Sequence, residues 1–156
     1  MSQYTDDQKQ AIERISQALP FRLSRLNVHL NAQAARTLAS ASDLSLNQWR
    51  VFFLVHHLQP VTSKTISSLS AIDPAVISRG ARNLLDKGIL ELKRNEEDQR
   101  ERFMTLTDDG QALMDRLGPI MAARRQKLDE VLSAEENRTL NRIITKLEAQ
   151  ALGEDS

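Results

Sequence analysis

Arg79 and Arg82 stand three residues apart in a stretch, residues 73–87, where Ile77, Ala81 and Leu84 recur at helical spacing. A helix with those apolar residues on its inner side carries Ala75, Ser78, Arg79 and Arg82 on the other. That division suits recognition of a nucleic-acid duplex. Small Ala75 and Ser78 allow close approach, and the guanidinium forks match guanine edges and phosphates. Upstream, Ser63, Lys64 and Thr65 open a short helical stretch, where backbone N–H groups and a cation suit phosphate. Downstream lies the charged run RNEEDQRER. Asp98 can pair with a nearby arginine and hold a loop there, leaving Arg100 free to enter a minor groove, with Arg102 in the same candidate set. The plain alternatives are a solvated helix with scattered arginines and, given Glu96, Glu97 and Asp98, a soluble hairpin tip of mixed charge.

Other chemistries are poorly served. No glycine-rich phosphate loop, nucleophile elbow or HExxH spacing is present. Asp108-Asp109 suits the first turn of a helix, where the dipole favours acids. Cysteine is absent, which excludes disulfides, thiolate nucleophiles, Cys-zinc sites and thiol sensing. The 156 residues carry 21 Lys/Arg against 21 Asp/Glu, so a uniformly basic coat for nucleic acid is excluded while a local one is not. Residues 62–94 have a net charge of +3 and residues 108–156 of −3, with the positive share where a duplex would lie. No apolar run approaches the roughly 20 residues of a membrane span, and the polar start MSQYTDDQKQ lacks a signal peptide's apolar stretch. The expectation is a cytoplasmic protein with no membrane association.

The elements that would position these residues are mostly helices. Thr5 and Gln8 have capping-box spacing ahead of Ile12, Ile15 and Leu19. After Pro20, Leu19, Leu23, Leu26 and Leu30 share one helical face that runs on to about Ser40. Ser45 and Gln48 open a helix whose Trp49, Phe52, Phe53 and Leu58 supply core contacts, and Pro60 ends it. Thr62 caps a short helix with Ile66 and Leu69. Asp73-Pro74 starts the next, and Gly88 stops it. Leu90 and Leu92, then Met104 and Leu106, alternate with their neighbours as two strands around a polar tip, residues 95–101. Thr107 caps a long helix with Leu113, Leu117, Ile120, Met121, Leu128 and Val131, kinked or broken at Gly118-Pro119. Ser133 and Glu136 cap the last, striped by Leu140, Ile143, Ile144 and Leu147. The fold class is mainly α with a small β-hairpin wing. Residues 1–45 and 108–156 form helical flanks and residues 46–107 the central helix-turn-helix and wing, all in one compact unit.

The stretch SRGARNLLDKGILELKRNEEDQRERFMTLTDDG resembles the winged helix-turn-helix of MarR-type bacterial regulators. The resemblance rests on Ser78-Arg79, Leu84, Gly88-Ile89, Arg94, Asp98-Gln99-Arg100 and Leu106-Thr107-Asp108-Asp109-Gly110, and the order of helices extends it over about residues 20–150. One departure is Gly80-Ala81, where such helices usually carry bulkier residues; it could soften or re-aim the reading helix. The resemblance implies a homodimer built from the first and last helices, which presents two reading helices to a palindromic operator in double-stranded DNA. It implies Arg100 as a DNA contact with Asp98 as its organiser. It also implies release by a small effector, such as an aromatic carboxylate or its CoA thioester. Arg22, Arg25, His29 and Asn31 could meet the anionic group, with Trp49 and Phe53 as apolar walls. Against this, Trp49, Phe52 and Phe53 at helical spacing equally suit a core, and Arg22 and Arg25 equally suit solvent or a dimer seam. Adjacent His56-His57 point about 100° apart on a helix and make poor joint metal ligands, so no metal and no cofactor are expected. The functional expectation is a repressor, not an enzyme; the alternative is a winged-helix protein-interaction module.

Overall fold

A computed structural model describes residues 4–70, 72–94 and 102–153. Among these, seven helices and one hairpin follow in the order α1 (Asp6–Gln17), α2 (Leu19–Ala39), α3 (Leu46–Leu58), α4 (Ser63–Leu69), α5 (Pro74–Asp86), β1 (Leu90–Arg94), β2 (Arg102–Leu106), α6 (Asp108–Asp129) and α7 (Ala134–Leu152). They divide into two compact units, residues 1–117 and 118–156. The winged-helix class expected from periodicity is the one observed.

In the first unit the helix starts are set by side-chain caps, which satisfy N–H groups that have no partner within the helix. Thr5 with Gln8 and Ser45 with Gln48 form reciprocal capping boxes. Pro20 lies in the first turn of α2, where its missing N–H removes no helical bond. Thr62 Oγ1 accepts from Thr65 N at 3.1 Å to open α4. Asp73 Oδ1 accepts from Ala75 N at 2.8 Å and Val76 N at 3.3 Å to open α5 behind Pro74. The core gathers around α3: Val51, Phe52 and Val55 are fully buried, as are Ile66 of α4, Ile77 and Leu84 of α5, and Leu117 of α6.

Strands β1 and β2 pair antiparallel with Leu90 opposite Leu106, Leu92 opposite Met104 and Arg94 opposite Arg102. The wing is pinned at its root. Met104 N donates to Val61 O at 2.8 Å, Val61 N returns a bond to Met104 O at 3.2 Å, and Leu106 N donates to Gln59 Oε1 at 2.8 Å. At its other end Thr107 Oγ1 donates to Gly88 O at 2.6 Å and accepts from Gly110 N at 3.0 Å. Gly88 itself takes a left-handed φ of 68°, which is why α5 can stop and turn directly into β1.

Asp43, in the loop before α3, pairs with Lys87 at the end of α5. The hydrogen bond and charge of Lys87 hold the Asp43 carboxyl below the ordinary aspartate range. A carboxylate stabilised in the folded state adds stability above its unfolded pKa, and that contribution is lost as pH falls through the folded one. Asp43→Asn should therefore lower Tm slightly at pH 7, and the gap should close as the pH falls below 3.8. A gap that persists in acid would show that the pair is not its cause.

Leu58, expected to supply a core contact, is exposed, and so are other apolar residues of the expected elements. Leu69 is 67% exposed at the last position of a seven-residue helix, and Val131 is 77% exposed because α6 has already ended at Asp129. Leu92 is also exposed. The leucine face of α2 (Leu19, Leu23, Leu26), with Ile12 and Ile15 of α1, stands roughly half exposed rather than packed within this chain. In the second unit α6 continues through Pro119 unbroken: a proline removes one backbone bond, and the turns on either side carry the helix past it. Helix α7 opens on the Ser133–Glu136 capping box and closes on Gly153 in the left-handed conformation. Two backbone and side-chain hydrogen bonds from Ser133 hold the Glu136 carboxyl below its ordinary range. Leu140, Ile143 and Ile144 lie exposed along α7.

Candidate nucleic-acid interface

Helix α5 divides as its sequence requires. Ile77, Gly80, Ala81 and Leu84 are buried, and Ala75, Ser78, Arg79 and Arg82 are exposed on the opposite side. Among the described residues neither Arg79 nor Arg82 is paired with a carboxylate; the ion pairs are Lys9–Asp6, Lys87–Asp43 and Lys93–Glu91. Two unneutralised guanidinium groups on one face, with no long side chain at Ala75 or Ser78 in their way, form a surface able to fork onto phosphate or guanine. The Gly80-Ala81 departure does not loosen the helix. Both residues are packed inward, and α5 runs unbroken to Asp86.

At the start of α4, Ser63, Lys64 and Thr65 are all exposed. Their availability differs. Ser63 Oγ lies 3.8 Å from Met104 Sδ, to which it donates, and Thr65 Oγ1 shares a hydrogen bond of 3.0 Å with Thr62 Oγ1. Lys64 has no ion-pair partner among the described residues. On the wing, Lys93 turns to Glu91 at 3.0 Å, whereas Arg94 and Arg102 face each other directly across the ladder. Like charges opposite one another oppose strand pairing, and an anion between them would relieve that repulsion. Arg94 was not among the candidates read from the sequence. Counting the hairpin register back from Leu90 and Leu106 would have found it opposite Arg102. Asp98 and Arg100 lie outside the described residues.

The second candidate cluster is only partly assembled. Arg22, Arg25 and His29 come together along α2, and with Leu19, Leu23 and Leu26 they line a cavity of about 420 Å³. Asn31 does not join them. Its Oδ1 accepts from Arg50 Nη2 at 2.7 Å, and its Nδ2 donates to Asn27 Oδ1 at 3.3 Å. Trp49 is a core residue, edge-on to Phe52 at 6.1 Å and tilted against Phe53 at 5.8 Å. Phe53 is half-buried with its ring 4.3 Å from that of His57. Neither ring lines the α2 cavity, whose apolar wall is leucine instead. Those leucines were legible only as a helical stripe, with nothing in their spacing to mark a cavity.

Residues 42–101 match the MarR family. The HTH-type transcriptional regulator TcaR of Staphylococcus aureus (strain Newman) is 26% identical over 117 residues, covering 74% of this chain and 77% of TcaR. Among solved structures, a MarR/EmrR family transcriptional regulator from Acinetobacter sp. ADP1 superposes with a TM-score of 0.78 at 21% identity, covering 90% of this chain and 96% of that one. MepR of S. aureus, in a complex with DNA, gives 0.76 at 21% identity over 85% and 98% of the two chains. CouR of Rhodococcus jostii RHA1, bound to p-coumaroyl-CoA, gives 0.73 at 19% identity over 88% and 94%. The stretch that matches the MarR family, residues 42–101, holds α3, both helices of the helix-turn-helix and the first wing strand, and the likeness to the solved structures extends the shared fold over most of the chain.

Proposed function

We propose that this chain is a transcriptional repressor that binds a palindromic DNA operator as a homodimer. The observation that carries it is the outer face of α5, where Arg79 and Arg82 are exposed and form no ion pair among the described residues, while the inner face is locked into the core. Arg79 and Arg82 enter the major groove. Lys64 and the opposed Arg94 and Arg102 hold backbone phosphates, and the family resemblance adds Arg100 as a minor-groove contact with Asp98 as its organiser. MepR, which shares the fold, is seen on DNA. The homodimer covers the half-exposed apolar residues of α1 and α2 and those of α7.

A small ligand with an anionic group and an apolar body releases the DNA. Arg22, Arg25 and His29 supply donors to a carboxylate, and Leu19, Leu23 and Leu26 the apolar wall. CouR, of the same fold, holds an aromatic acyl thioester.

Fluorescence anisotropy with a duplex from the region upstream of this chain's own coding sequence, against a scrambled duplex over a salt series, is the test. The expected result is tight binding to the first alone, weakening steeply with salt as bound cations are released. Equal, weak binding to both would favour a winged helix that binds proteins. Aromatic carboxylates titrated into the complex should reverse the signal. Full reversal in a chain with alanine at Arg22, Arg25 and His29 together would remove those residues from the ligand site.

A further inference from the structure

Gly80 lies at the centre of the buried face of α5, between Ile77 and Leu84. A glycine inside a helix costs about 1 kcal/mol relative to alanine, so its presence there needs a cause. The cause is lack of room. A Cβ on Gly80 would stand 3.0 Å from Val51 Cγ2, 3.6 Å from Val51 Cβ and 3.7 Å from the Asn47 carbonyl oxygen. Asn47 and Val51 are one turn apart on α3, so the α5 backbone at Gly80 seats against two successive turns of that helix. Val51 is fully buried and cannot swing into solvent. Arg79 immediately precedes Gly80, and Arg82 follows two residues later. Any change in the separation or roll of α5 at this point moves both guanidinium groups.

We propose that the close contact of Gly80 with Val51 sets how far α5 stands from α3, and thereby how Arg79 and Arg82 meet the bases. Gly80 is a positioning residue for DNA recognition and touches no DNA itself. The inference rests on the assignment of α5 as the reading helix.

The test compares the unaltered chain with Gly80→Ala, Val51→Ala and the double variant, measuring affinity for operator and scrambled duplex at fixed salt alongside Tm. Gly80→Ala should weaken operator binding about tenfold, the scale of one displaced base contact. Binding to scrambled duplex should stay within about twofold, because phosphate attraction tolerates small shifts. Removing the two Val51 methyls makes room for the new one, so the double variant should regain operator affinity to within about threefold of Val51→Ala alone, the signature of a coupled pair. A merely structural role would lower both duplex affinities through unfolding and would show no such recovery. Val51→Ile presses on the same contact from α3 with Gly80 unchanged, and should lose operator discrimination even if Gly80→Ala fails to fold. Discrimination that survives both Gly80→Ala and Val51→Ile overturns the positioning role alone. Equal binding of both duplexes by the unaltered chain overturns DNA recognition and the positioning role with it.

Discussion

Gly110→Ala should lower the stability of the chain by about 3 kcal/mol, the upper range for forcing atoms into a packed site. For a protein of this size that is a fall in Tm of roughly 6–12 °C. The new Cβ would lie 2.2 Å from the carbonyl oxygen of Ile89 and 3.2 Å from its carbonyl carbon. Both are backbone atoms of the segment that leads into β1, and neither can rotate away as a side chain would. The same oxygen accepts from Thr107 N at 3.2 Å, so pushing it aside also strains the hydrogen bonds that join the wing to the start of α6. Gly88 provides the contrast. It has an open surrounding but a φ of 68°, so alanine there meets only the conformational cost of about 1 kcal/mol. Thermal unfolding of the two variants measures the difference. A Gly110→Ala Tm within 2 °C or so of the unaltered chain would mean that α6 can shift freely from Ile89, and that the wing root is not rigid.

These two glycines show where the sequence was legible and where it was not. Gly88 could be read directly, because a helix followed by glycine and then an alternating strand has one common geometry. Gly110 appeared in the sequence only as part of a motif; its reason is a contact with Ile89, 21 positions earlier, which no local pattern encodes. The same contrast runs through the fold. Thr5, Ser45, Thr62, Asp73 and Ser133 each announce a helix start through a side chain that bonds within three residues, and each does so in the structure. Apolar spacing predicted which residues share a face but not whether anything covers it, so the stripes of α1, α2 and α7 were legible while their exposure was not. On the reading helix, one periodicity placed Ile77 inward and Arg79 outward correctly, because α5 packs its whole length on a single core. The α2 cluster was harder. Arg22, Arg25 and His29 fall on neighbouring turns of one helix and stay together, whereas Asn31 is drawn off by Arg50 and Trp49 by Phe52, both through tertiary contacts.

Replacing Arg79 and Arg82 together with alanine should abolish measurable preference for the operator while leaving the fold intact. Each guanidinium that forks onto a base is worth about 1–3 kcal/mol, so the pair accounts for around 4 kcal/mol, roughly a thousandfold in affinity. Both residues are exposed and neither forms an ion pair among the described residues, so Tm should move little, within about 0.5 kcal/mol of stability. Residual binding should fall to the level of scrambled duplex and keep a salt slope. Lys64, Arg94 and Arg102 remain to meet phosphates, and that attraction does not depend on sequence. Two single variants divide the roles further. An arginine that reads a base lowers operator affinity alone, whereas one that holds a phosphate lowers both affinities and reduces the salt slope by about one unit. Operator affinity unchanged in the double variant at fixed salt would remove α5 from the interface. The recognition surface would then have to be sought on the wing, where Arg94 and Arg102 face each other.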